Sequence, residues 1–140
     1  MTRTAIEELT LLIARVIMSA PFVWTGYTKL VTAAGTQAYF AKLGLPVPVL
    51  AWSVAVAVEL LGGLALLLGI QARAVGLILA AWCIATALVG HRDFNNPDMV
   101  VHFMKNVIMA GGFLYVAVYG AGSYSVGRMI GKKPTSSDAR

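Results

Sequence analysis

Charge is what this 140-residue sequence has least of: Asp, Glu, Lys and Arg together make up 12%, against 59% hydrophobic residues. Soluble domains carry about 25% charged residues, so a soluble enzyme is excluded and the chain falls in the membrane class. Cysteine occurs once, as Cys83, which rules out an intrachain disulfide and a CxxC redox pair and leaves a small buried core residue. Acidic residues number six against eleven Lys and Arg, a net charge of +5. The basic residues are scattered, with no aromatic-interleaved stripe, so nucleic acid is not the partner they imply. Also missing are a Walker loop, a Ser-His-Asp set, a haem-binding pattern and a zinc-ligand spacing, so no metal site is expected. A cleavable signal is not expected either, because Glu7 and Glu8 accompany Arg3 and the first apolar stretch contains Arg15.

What the chain has instead is apolar runs of membrane length. About 20 residues cross a bilayer as a helix, and the runs at about 9–30, 47–70, 74–90 and 99–119 give four spans in one domain, residues 1–122. The expected fold is all-α, an integral membrane four-helix bundle. Between the first two spans, Val31 to Pro46 mixes Tyr39, Phe40 and Leu43 with Gln37 and Lys42, which predicts a short interfacial amphipathic helix stopped by Gly44. Gln71-Ala72-Arg73 is too short to do more than join two antiparallel spans. Residues 123–140 read as a polar basic tail. Arg3, Arg73, Arg128, Lys132, Lys133 and Arg140 gather on one side, against mainly Lys42 and Arg92 on the other, so both termini are expected in the cytoplasm.

Faces follow from spacing. Arg15, Ser19, Phe22, Gly26 and Lys29 recur every three or four residues and form one stripe directed into the bundle. On the second span Ala51, Ala55, Glu59 and Gly63 form a small-residue face around one carboxylate. Gly76, Ala80, Cys83 and Ala87 make a close-packing seam on the third. On the fourth, His102, Lys105, Asn106 and Met109 share a face.

Glu59 is the residue that needs explaining. A carboxylate at mid-membrane costs at least roughly 2.5–3.5 kcal/mol, so it must face other helices or a wet cavity and have a partner. At 1.5 Å per residue, Lys105 lies about 9 Å inside the outer boundary and Arg15 about 9 Å inside the inner one, and either is within reach. Lys105 is favoured because it shares the outer half with His102 and Asn106. The expectation is a pocket in the outer half onto which Lys29, Glu59, His91, His102, Lys105 and Asn106 converge. Plainer roles exist for each: snorkelling for Arg15, interhelical bonding for Asn106, a structural ion pair for Glu59.

The segments from Phe22 to Leu30, Leu43-Gly44-Leu45-Pro46, Val58 to Gly63 and Lys105-Asn106 resemble, in this order, the DoxX family of small bacterial and archaeal membrane proteins. The resemblance runs from Leu12 to Gly120. It implies a four-helix membrane protein connected with quinone-linked oxidoreductase systems, and it carries over Arg15, Gly26, Lys29, Glu59, Lys105 and Asn106 as positions without a catalytic mechanism. With no haem ligand pair, flavin fold or dithiol in the chain, electron transfer would need a quinone, a bound cofactor or a partner protein, the last a membrane or membrane-associated redox partner. Glu59 and Lys105 would then orient the quinone or handle its protons, with Arg15, Gly26, Lys29, His91, His102 and Asn106 around it. The other reading is a non-enzymatic membrane module that binds or moves a small molecule or assists assembly of a complex.

Overall fold

The computed structural model describes residues 3–131, and all regular structure among them is helical. The first span, α1 (Ala5–Val31), starts where Thr4 caps it. The Thr4 hydroxyl accepts from the Glu7 amide while the Glu7 carboxylate accepts from the Thr4 amide, a reciprocal box that satisfies two free amides. Pro21 sits inside α1 without ending it. A short helix, α2 (Ala33–Lys42), follows, and Gly44 at φ 80 turns the chain toward Pro48. The second span, Pro48–Leu68, consists of α3 (Pro48–Val56), a π-helical turn (Ala57–Leu61) and α4 (Gly62–Leu68). Gly69 in the left-handed conformation closes it. The third span is α5 (Ala72–Gly90), the fourth α6 (Pro97–Tyr119), and α7 (Val126–Gly131) ends the described chain.

The four long helices are apolar enough to cross a membrane, and on the first three the buried faces follow the spacing in the sequence; on α6 the buried residues are Ala110 and Phe113, and of the expected face Asn106 and Met109 are half-buried while His102 and Lys105 are exposed. Arg15, Ser19, Phe22 and Gly26 are the buried residues of α1, and Ala55, Glu59, Gly63 and Leu66 are those of the second span. Gly76, Ala80, Cys83 and Ala87 are all buried on α5. The π turn has a geometric reason. A four-residue repeat drifts off one face of a helix with 3.6 residues per turn, and a wider turn with i→i+5 bonding takes up the drift, keeping Glu59 and Gly63 in line with Ala55.

The core lies in the half of the bundle nearer the termini, where the Phe22 and Phe113 rings meet edge to face with centroids 5.0 Å apart above Leu66, Leu79 and Cys83. The same end is clamped by polar groups. Arg15 donates to the carbonyls of Ala121 and Tyr124, Glu8 accepts from the Ser123 amide, and Arg3 donates to the Tyr119 carbonyl at 2.8 Å. The polar tail expected from residue 123 thus opens with ordered chain, and Ser125 is buried. Lys132, Lys133 and Arg140 of that tail lie outside the described residues.

Gly26 is where the backbones come closest. A Cβ there would lie 2.8 Å from the Cα of Leu60, so the site has no room for alanine. Gly111 on α6 is its opposite, with nothing within 4 Å of an added Cβ. Gly26→Ala should therefore destabilise by about 1–3 kcal/mol through overpacking, whereas Gly111→Ala should be neutral or stabilising by about 0.5–1 kcal/mol through helix propensity. Thermal unfolding of the two variants in one detergent checks the contrast; equal midpoints would contradict the close approach at Leu60.

Candidate functional site

Lys29, one turn beyond Gly26, ends the stripe on α1. Because Gly26 lets α1 settle against the backbone of Leu60, the Lys29 side chain falls beside the π turn, and its Nζ donates to Glu59 Oε2 at 2.6 Å. The other carboxylate oxygen, Oε1, accepts from Trp82 Nε1 of α5 at 3.1 Å. Trp52 Nε1 donates to the Lys29 carbonyl at 2.8 Å, tying α3 to the end of α1. Glu59 is buried and Lys29 about one quarter exposed, so the carboxylate has its charge and both oxygens satisfied from two other spans, α1 and α5.

This corrects the expected partner. Lys105 is exposed, and among the described residues it has no ion pair. Arg15 is equally remote from Glu59, because its guanidinium is occupied by the Ala121 and Tyr124 carbonyls at the opposite end. Depth along a helix axis placed both cations within reach; the rotation of α6, which turns Asn106 and Met109 inward, leaves Lys105 outside.

Above the Lys29–Glu59 pair opens a cavity of about 650 Å³, inside the range of small-molecule sites. Pro21, Phe22 and Thr25 of α1, Leu50 and Val54 of α3, Ala85 and Val89 of α5 and Met109 of α6 supply apolar wall. Tyr39 and Phe40 of α2, with Leu43 to Val47 after it, cover one side. The polar groups are Lys29, Glu59, Trp82, Thr86, His91 and Asn106. Of the residues expected to converge, Lys29, Glu59, His91 and Asn106 line the cavity. His102 and Lys105 are exposed outside it; Arg15 belongs to the terminal clamp, and Gly26 acts through backbone approach.

Asn106 is held by two bonds. Its Oδ1 accepts from Thr86 Oγ1 at 3.0 Å and its Nδ2 donates to the His102 carbonyl at 2.9 Å, so it joins α5 to α6 as well as lining the cavity. His91 and His102 stack with centroids 5.1 Å apart, and His91 Nδ1 is buried without a hydrogen-bond partner. Trp82, Trp52 and Thr86 were not foreseen from the sequence. Their signal was present in part, since Trp82 and Thr86 are one turn apart beside the small-residue seam of α5.

Taken together, the fold and site define a multi-pass helical membrane protein with a buried ion pair at the floor of an apolar cavity. A sequence model of the DoxX family matches residues 10–92, and the chain belongs to that family. It is 36% identical over 128 residues to Inner membrane protein YqjF of Escherichia coli (strain K12), covering 91% of this chain and 97% of that one. It is 35% identical over 130 residues to Inner membrane protein YphA of the same organism, covering 89% and 92%. No solved structure matches the chain significantly.

Two outcomes follow from this geometry. Lys29→Met leaves Glu59 buried without its cation and should cost about 3–5 kcal/mol, with Glu59→Gln in the same chain recovering most of it. Lys105→Met should instead add independently to Glu59→Gln, within about 0.5 kcal/mol. A double-mutant cycle on unfolding midpoints separates the two, and coupling to Lys105 would refute the observed pairing.

His91, just past the end of α5, is held below the usual imidazole range by burial and, secondarily, by the neighbouring His102. The unfolded chain therefore binds more protons than the folded one as pH falls through that range. The resulting stability is complete above the unfolded value of about 6.5 and is lost as pH falls below it. The unfolding midpoint should drop between about pH 7.5 and 5.5, and His91→Gln should flatten that drop. An unchanged slope in the variant would remove His91 as its source.

Proposed function

We propose that this protein is a quinone-binding subunit of a membrane oxidoreductase system, with Glu59 and Lys29 as the groups that meet the quinone head. The supporting observation is the cavity of about 650 Å³ whose walls are apolar and whose floor carries an ammonium, a carboxylate and an indole N–H. That donor and acceptor set fits the group: a carbonyl oxygen accepts from the Lys29 ammonium, which keeps hydrogens beyond the one given to Glu59, and the hydroxyls of the reduced form donate to Glu59. A bound quinone would supply two-electron, two-proton chemistry between membrane partners.

The chain's own part is to bind, orient and hold a proton. Lys29 and Trp82 fix the two Glu59 oxygens, so a change at either bond alters what Glu59 can accept. Lys105, exposed on α6, takes no direct part in this reading. Electrons come from a membrane redox partner. The short helix α2 lies in the interfacial region, and both termini are cytoplasmic by the basic bias of their side. A cysteine label at exposed Asn96, in the loop between α5 and α6, should react from outside intact cells. Labelling there only after the membrane is breached would invert the orientation.

The test uses the charge-free variant Lys29→Met/Glu59→Gln, which keeps the cavity while removing both charges. Protein purified from native membrane should carry quinone, identified by mass spectrometry, and the folded variant should retain about tenfold less. Absence of quinone from the native protein, or equal retention by the variant, would refute the reading. Bound quinone without redox turnover with any donor would favour the non-enzymatic module that binds or moves a small molecule.

A further inference from the structure

The seam between α1 and α6 is closed at one level and open at another. On α6, Lys105, Met109 and Gly112 form one row by i, i+4 and i+7 spacing. At Gly112 that row touches α1, for an added Cβ would stand 2.9 Å from Met18 Cε, and the adjacent Phe113 packs on Phe22. Two turns further from the termini, about 10 Å along the axis, the same row presents Lys105 exposed. The facing residues on α1 behave alike: Met18 and Phe22 are engaged, whereas Thr25, seven residues beyond Met18, is exposed although it lines the cavity. Contact at one level and exposure at the next are what a wedge between the two helices would give, and Thr25 and Met109 are cavity residues on its two sides.

We propose that this wedge is a lateral portal, through which a bilayer-dissolved amphiphile passes into the cavity head first while its apolar tail stays between α1 and α6. The proposal rests on the reading of the cavity as a ligand site and deepens it by fixing the ligand class. The ligand has a compact head with hydrogen-bond acceptors and a long hydrocarbon tail, and it arrives from lipid. It also accounts for Lys105. A lysine facing hydrocarbon alone is costly, but at the lip of a portal its ammonium can hold a carbonyl or an anionic head during passage.

Photolabelling locates the tail. The probe is a benzoquinone whose long alkyl tail ends in a diazirine, incorporated with the full-length protein into phospholipid nanodiscs and followed by peptide mass spectrometry. The expected result is labelling of α1 around Thr25 and of α6 around Lys105 and Met109, reduced about tenfold by excess unlabelled long-tail quinone. Lys105→Met should lower the labelling rate at low probe concentration while leaving saturation labelling intact. Competed labelling confined to α2 and the segment from Leu43 to Val47 would overturn the portal and leave the cavity reading standing. Labelling that competitor does not reduce anywhere would overturn both.

Discussion

One charged contact, Lys29 to Glu59, sets much of the rest. A carboxylate in the second span is tolerable only if its charge and both oxygens are met, and three features of the chain serve that need. Gly26 removes the side chain that would hold α1 away, the π turn keeps Glu59 on the buried face, and Trp82 supplies the remaining donor from α5. Trp52 then holds the lysine-bearing end of α1 by its carbonyl. Removing any one would leave the others badly placed, since each is fixed by a different helix.

The two ends of the bundle differ in kind. Near the termini, edge-to-face aromatics, small-residue seams and the Arg15 clamp on Ala121 and Tyr124 make a closed end. At the other end lies the cavity, walled by residues of all four spans and of α2. Burying Arg15 among carbonyls gives the closed end hydrogen bonds that water would otherwise supply.

Membership of the DoxX family agrees with this architecture, and two relatives of similar length named as inner membrane proteins agree with the four apolar helices. The family match ends at residue 92, before α6. Asn106 and Met109, which line the cavity, and the exposed Lys105 therefore enter from the part of the chain where the structure contributes most to the reading.

The sequence by itself determined the number of spans, the buried faces of the first three and the residue around which they are organised. Those properties are written in run length and in three- and four-residue spacing, both fixed by helix geometry. Arg15, Ser19, Phe22 and Gly26 were legible as one buried stripe, and Glu59 was legible as a group in need of a partner, because each follows from one helix alone. The partner was not. Lys105 and Arg15 were the cations compatible with Glu59 by depth, Lys29 was placed only among the residues around the pocket, and the choice depended on how far each helix is rotated and how closely it approaches its neighbour. The contact of Gly26 with Leu60 and the outward turn of Lys105 are relations between helices, so only the tertiary structure decided them. The same holds for the cavity, since its walls come from all four spans and α2.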